Sequence, residues 1–396
     1  MRKQLRSETE RIVMLARLSR SLKVFPLLLL TSSVLLAQSA LAEHTTLYVD
    51  STATENGDGS RRRPFSYTVT DLGTLGGTSS VGCGINSRGQ VVGFSSIATG
   101  QLHAFLWHRG VMTDLGTLPG DFFSLARDIN KHAQVVGHSD VTGSPPLNAV
   151  LWERGEVIPL GTLGGSAGFA VRINERGQIV GGARTPNGEL HAFLWDNGAM
   201  SDLGTLPGET FSIAKAINKH GQVAGNSAPR QPTPPAFFGE CPANPVPPQP
   251  QRAVLWENGE ITDLGTLGGI MSLALGINDH GDVVGSSTVA SGEEHAFLLR
   301  HGTMTDLGTL GGTYSVANQI NNRRQVVGLS RIATGELHAF LWEDGVMTDL
   351  NDLIPADSGF VLAEATAVNR NGQIVGVGTI DGQTHGLLLR PNDDED

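Results

Sequence analysis

Residues 272–285 read SLALGINDHGDVVG, and residues 295–312 read HAFLLRHGTMTDLGTLGG. The same two-part phrase returns along the chain as seven units. The clearest anchor is Asp-Leu-Gly-Thr-Leu, beginning at Asp71, Asp114, Asp202, Asp263 and Asp306, with a variant at Pro159 and a degenerate DLNDL at Asp349. Most anchors lie 43 to 45 residues apart, a period typical of repeat architectures.

Each unit resolves into four short strands, a to d. Strand a precedes Ile-Asn, as in Ser80–Asn86 and Ser124–Asn130, and carries a small residue three before the Ile: Gly82, Ala126, Ala214, Ala274, Ala317. A crowded inner strand needs such residues. The a–b turn is Asn-x-x-Gly, where Asn bonds its own turn backbone and Gly takes positive φ. Ala133 and Arg324 break the Gly rule, which predicts strained or differently shaped turns. Strand b, Gln-Val-Val-Gly, ends on a Gly in every unit: Gly93, Gly137, Gly181, Gly225, Gly285, Gly328, Gly376. An interior strand Gly marks a close backbone approach or a bulge. Strand c, His-Ala-Phe-Leu-Trp, is apolar on both faces and predicts sheets packed on each side. All five tryptophans end it (Trp107, Trp152, Trp195, Trp256, Trp342), a regularity that reads as core. Asn197-Gly198, Asn258-Gly259 and Asp344-Gly345 are two-residue hairpin signals between strands c and d.

The two ends of the repeat complete one another. A d strand at 67–72 has no c strand before it, and a c strand at 385–389 has no d strand after it. Seven a-b-c sets and seven d strands therefore close a ring, which needs no capping repeats. The fold expected is all-β: a seven-bladed β-propeller of four-stranded blades over residues 65–390, closed by strand 67–72 on strand 385–389. An open β-solenoid is the alternative, but it has no need of complementary ends.

Composition fits: 51 glycines and 17% charged residues in 396 suit a turn-dense β protein. Arg17, Arg20 and Lys23 precede the apolar run 24–36, and Ala40-Leu41-Ala42 follows with small-x-small spacing. Residues 1–42 read as an export signal, with translation starting at Met1 or Met14, and the expected location is secreted or periplasmic. The run is short for a membrane span, and no membrane anchor is expected after cleavage. Those 42 residues hold seven of the 28 Lys and Arg and two of the 39 Asp and Glu, so 21 basic and 37 acidic residues remain. Nucleic acid is a poor partner for so acidic a chain. Residues 43–64 read as a polar linker; Asp50, Asn56 and Asp58 fall short of the six or more oxygens a hard cation needs. Unit four carries a Pro-rich insertion at 228–251, between strands b and c, and 391–396 is an acidic tail.

Cys83 and Cys241 lie in units one and four, nearly opposite in a seven-membered ring. Export permits a disulfide, whereas ring position weighs against one, since pairing needs Cα atoms within about 7 Å; the sequence leaves the pairing of Cys83 and Cys241 open.

A His heads strand c in five units. If Asn-Gly forms the turn, Trp pairs opposite the Met position of strand d, and this His and the strand-d Asp share one sheet face at a diagonal. The pairs are His103–Asp114, His191–Asp202, His295–Asp306 and His338–Asp349, and ring closure adds His385–Asp71. Unit two has Asn148 with Pro159, so both partners are lost together; unit four has Arg252 with Asp263. Pairs spread one per blade read as structural staples, since a metal site needs three or four converging ligands. No nucleophile elbow, phosphate loop, HExxH or CxxC pattern occurs; no catalytic residue, metal or cofactor is expected.

With HAFLW, INxxGQVVG and MTDLGTLGG assembled, residues 65–390 resemble the bacterial extracellular HAF-repeat family, named for His-Ala-Phe. The resemblance implies export and a repeat fold and supplies no catalytic residues. The function expected is an exported, monomeric binding or scaffold module for a protein, glycan or cell surface, with the Gly-rich d–a loops and the insertion as the surface to examine. The alternative is a propeller-type hydrolase or lyase with a central-channel site, which requires convergent His, Asp or Glu on inner strands. The variable strand-a positions show a mixture: Arg127, Arg172, Lys215, Asn318.

Overall fold

The computed structural model describes residues 66–142, 146–231, 241 and 250–392. The export signal, the linker, most of the insertion and the end of the tail lie outside the described residues.

The described chain is a β-propeller of seven four-stranded antiparallel sets. Blade one runs Gly76–Ile85, Val91–Ile97, Leu102–His108, Val111–Asp114, and the pattern repeats through blade six. Blade seven takes strands a to c from Val361–Val368, Ile374–Ile380 and Gln383–Pro391, and its d strand from Tyr67–Asp71 at the other end of the chain. That closing pair is antiparallel, with Tyr67 opposite Pro391 and Asp71 opposite Leu387. Pro391, expected in the tail, thus belongs to the strand, and Asn392 N–H donates to the Ser66 carbonyl at 2.9 Å. Blades five and six share one parallel pairing, Glu294 with Tyr314, which joins them into a single sheet.

The c–d hairpins follow from their turn residues. Asn197 and Gly198 both have positive φ, 49° and 88°, the mirror-image turn that matches strand twist. Trp195 then lies opposite Met200, Trp107 opposite Met112 and Trp342 opposite Met347. The a–b turns at Ala133 and Arg324 have the same shape as the glycine turns, contrary to one of the expectations above. Ala133 sits at φ 63° and donates to the Asn130 carbonyl at 3.1 Å, the bond Gly89 makes to Asn86. Strain falls on the residue, because Cβ crowds the backbone at positive φ.

The apolar core lies between blades. Seven buried clusters each join two consecutive blades: Val136, Ala149 and Leu151 of blade two meet Ile173, Ile179 and Phe193 of blade three. The wedge across the closure joins Leu72, Ala367, Val375 and Leu388 to Ile85, Val91, Phe105 and Trp107. Both sheet faces are therefore buried, which is why strand c is apolar throughout. Trp107, Trp152 and Trp256 are buried; Trp195 and Trp342 pack at wedge margins.

Two polar devices tie blade to blade. The strand-a serine accepts from the preceding blade's strand-c backbone: Ser124 Oγ from Ala104 N–H, Ser212 from Ala192, Ser272 from Ala253, Ser315 from Ala296, and Ser80 from Gly386 across the closure. The turn asparagine does more than cap its turn. Asn174 Oδ1 accepts from Arg176 and Gln178 N–H, while its Nδ2 donates to the Asn218 carbonyl in the next blade. The relay runs Asn86, Asn130, Asn174, Asn218, Asn278, Asn321, Asn369 and returns to the Asn86 carbonyl. Seven asparagines thus circle the a–b end.

Candidate functional site

The peripheral histidines come first. His103 Nδ1 lies 2.7 Å from Asp114 Oδ2; the His191–Asp202, His295–Asp306 and His385–Asp71 contacts are each 2.8 Å, and His338 pairs with Asp349. Arg252 reaches Asp263 at 2.8 Å, and Asn148 Nδ2 donates to Asp121 Oδ2 at 3.3 Å. The second carboxylate oxygen accepts from the backbone two residues on, as Gly116 N–H to Asp114 Oδ1 at 2.8 Å. Each Asp therefore fixes the start of the d–a loop and the head of strand c together. The pairs stay one per blade and do not converge.

The convergent positions are on strand a. Every inner strand carries a β-bulge after its small residue, so one residue per blade leaves the ladder: Cys83, Arg127, Val171, Lys215, Leu275, Asn318 and Thr366. A bulge bends the strand and re-aims a side chain. It also explains the strand-b glycine: a Cβ on Gly137 would overlap the Leu125 carbonyl oxygen, and the same clash recurs at the other six. Sequence reasoning identified the glycine but not the bulge it accommodates. The result is a belt of variable residues on a repeated scaffold.

That belt is chemically mixed and mostly buried. Arg127 and Lys215 are 6% and 9% exposed. Glu364, at 6%, accepts from Asn318 Nδ2 at 2.7 Å across the blade six–seven boundary. Thr366 Oγ1 donates to the Gly82 carbonyl of blade one at 2.8 Å. Asp128 follows the bulge; its Oδ2 accepts from Ile173 N–H at 3.0 Å. Burial raises the Asp128 pKa, against the opposing Arg172 guanidinium. His138 on strand b is buried beside Arg127; burial first, and that cation second, lower its pKa to about 3. Asp128, Glu364 and His138 were not singled out from the sequence: Glu364 replaces an apolar residue of the other blades, while Asp128 and His138 stand at positions that vary from blade to blade, aligned with Arg172 and Gln319 and with Phe94 and Asn226. Among the described residues, no group of three or more His, Cys, Asp or Glu is placed to hold a metal.

Cys241 enters this belt. It belongs to blade four's insertion, yet its Sγ donates to the Gly82 carbonyl of blade one at 3.2 Å, and it packs with Val81, Cys83, Val377 and Phe94. The expectation that ring position separates the two cysteines is therefore overturned: the insertion carries Cys241 across to Cys83. Both are unbonded thiols here.

The two ends of the channel differ. At the a–b end, a cavity of about 210 Å³ is lined by Asp128, Arg172, Lys219, Gln319 and Arg370 among others, drawn from six blades, which places it on the ring axis. The d–a end carries exposed apolar side chains. Phe122, Ile270 and Val361 stand at 57%, 74% and 51% exposure; each lies four residues before its blade's small strand-a residue, at the head of the inner strand. Val141 stands beside Phe122, whose N–H donates to the Asp140 carbonyl. Of the large apolar residues exposed by half or more, only Val111 and Val346 lie elsewhere among the described residues, at c–d hairpins.

No family model and no curated protein matches the chain. Among solved structures, a puromycin-hydrolyzing peptidase of Mycobacterium tuberculosis is similar at 12% identity and TM-score 0.51, over 84% of this chain and 56% of that one. That likeness shows the fold alone. YCF48 bound to D1 peptide matches at 12% identity and TM-score 0.47, over 84% of this chain and 96% of that one. The propeller domain of the Trilobed protease of Pyrococcus furiosus, described as having an open velcro topology, matches at 9% identity and TM-score 0.45, over 80% and 99%.

Proposed function

We propose that this protein is an exported binding ring that seats a partner protein on its d–a end. The observation that supports the reading is the placement of Phe122, Ile270 and Val361, exposed at one equivalent position in three blades. Elsewhere in the described ring such side chains are mostly buried between blades, whereas these three stand exposed at one end of the ring, in blades two, five and seven, and large apolar groups exposed on one face mark an interaction surface. They are aliphatic or phenyl groups, suited to an apolar protein surface; hydroxyl-rich glycans call for polar and indole or phenol partners. The reading agrees with the export and repeat fold that the HAF-repeat resemblance implies.

The test is cross-linking of the mature protein to intact cells, with and without Phe122→Asp, Ile270→Asp and Val361→Asp together. All three residues are solvent-facing, so the variant keeps its melting temperature. Loss of one discrete cross-linked species supports the reading. Equal cross-linking by both proteins, or glycan-array binding that both retain, overturns it.

A second reading, a hydrolase or lyase acting in the channel, draws on Asp128 and Glu364 on inner strands and on His138 of strand b beside Arg127. Turnover of a lactone or polysaccharide panel that Glu364→Gln abolishes would support it over the first.

A further inference from the structure

Cys83 and Cys241 are the only cysteines of the chain, and they meet although 157 residues separate them in sequence. We propose that they join in a disulfide that fastens the blade-four insertion to blade one across the channel. This does not rest on the partner proposed above.

Three observations carry it. Cys83 is the bulge residue of blade one, so its side chain has already left the ladder. The two cysteines are in contact: Cys83 Sγ lies 3.9 Å from the Cys241 carbonyl, Cys241 Sγ lies 3.2 Å from the Gly82 carbonyl, and Cys241 packs against the cluster that holds Cys83. A disulfide of about 2.05 Å forms between residues whose Cα atoms lie within about 7 Å, and the contact of each thiol with the other's backbone neighbourhood brings the two segments together. Third, among the described residues Cys241 is held by weak sulfur hydrogen bonds and a small apolar cluster. A covalent bond holds such a segment far better, and cross-links spanning long loops restrict the unfolded chain most.

The chemistry is thiol–disulfide exchange, and it needs a disulfide oxidant, either an exchange catalyst or a low-molecular-weight disulfide. Cys241 is half-buried and Cys83 buried, so exchange begins at Cys241. Its thiolate attacks one sulfur of the oxidant and releases the other as a thiol. The Cys83 thiolate then attacks the Cys241 sulfur, forms the Cys83–Cys241 bond and releases the second thiol. The protein loses two electrons and two protons, and the oxidant takes up both. Burial and the neighbouring Cys83 raise the Cys241 pKa well above its ordinary value, so the exchange accelerates with pH.

The experiment uses the full chain in two preparations. One is purified without reductant after export. The other is made in a reducing cytosol and incubated with glutathione disulfide at alkaline pH, which removes any dependence on export. Each is denatured in excess iodoacetamide, digested with trypsin and weighed. The expected result is one linked species joining the peptides that end at Arg88 and Arg252, two hydrogens lighter than their sum, with neither cysteine alkylated and separation on reduction. Oxidised wild-type protein also melts above the reduced form, whereas Cys83→Ser and Cys241→Ser proteins are insensitive to reductant. Alkylation of both cysteines in both preparations, glutathione on each, or links only between copies overturns the proposal. Equal melting of oxidised and reduced wild-type protein overturns the fastening role.

Discussion

Removing one member of the asparagine relay should weaken the whole ring. Asn174→Ala deletes four hydrogen bonds. Oδ1 accepts from Arg176 N–H at 3.0 Å and Gln178 N–H at 3.1 Å; Nδ2 donates to Gln178 Oε1 at 2.8 Å and to the Asn218 carbonyl at 3.1 Å. Water can replace the bonds on the turn side, so each costs roughly 0.5–1 kcal/mol net. The Asn218 carbonyl in the next blade keeps the Gly221 N–H of its own turn at 3.2 Å, so losing the inter-blade bond costs a net hydrogen bond, about 0.5–1.5 kcal/mol. The total is about 2–4.5 kcal/mol, a fall in Tm on the order of 3–6 °C for a domain of this size. The control is Asn197→Ala in a c–d hairpin, where φ is 49° and the cost is the positive-φ penalty of about 1 kcal/mol. Urea unfolding and calorimetry on both variants decide. If Asn174→Ala is no more harmful than Asn197→Ala, the relay does not hold the blades together.

The strand-b glycine makes a second contrast. Gly137→Ala sets a Cβ against the Leu125 backbone, which cannot rotate away, and should cost about 3 kcal/mol or more. Gly155→Ala meets open space at φ 83° and should cost about 1 kcal/mol; equal losses in Tm would remove the bulge explanation. In the His–Asp pairs, Asp306→Ala should destabilise more than His295→Ala, because Asp306 also accepts from Gly308 N–H at 2.7 Å. The pair's own coupling in a double-mutant cycle should stay at or below about 1 kcal/mol, given its exposure. His138 sets a pH dependence. Its folded pKa is lowered from 6.5 to about 3, so the unfolded chain takes the proton first. Its contribution is intact above pH 6.5 and is lost as pH falls toward 3, by up to about 1.4 kcal/mol per pH unit. His138→Phe, which installs the residue blade one has at Phe94, should flatten urea-midpoint curves between pH 6 and 4; an unchanged slope counts against a buried neutral imidazole.

The propeller was legible because its determinants repeat. DLGTL marks each blade, Asn-Gly fixes the c–d register, and that register alone brings His103 to Asp114 eleven residues on. The asparagine was readable as a turn former; its Nδ2 bond to the next blade was not, since it depends on the spacing of neighbouring blades. The channel belt was hidden for a related reason. A bulge shifts the alternation by one residue, so strict inside–outside counting through Gly82, Cys83 and Gly84 misplaces Cys83. Glu364 breaks an apolar pattern in a single blade, and Asp128 stands where Gly84, Arg172 and Gln319 stand in other blades, so no pattern marks it. Cys241 lies in a Pro-rich segment with no repeat to align it, so no periodicity could place it beside Cys83.

The central claim is that the two ends of the repeat share one blade. Thr68 lies directly opposite Arg390 in the closing pair, a cross-strand spacing compatible with a disulfide. In a Cys83→Ser, Cys241→Ser background, Thr68→Cys with Arg390→Cys should oxidise to an intramolecular bond in native protein. The linked peptide should appear by mass, with the melting temperature held or raised. Free thiols or inter-chain dimers alone, under the same oxidation of folded protein, would contradict the closed ring.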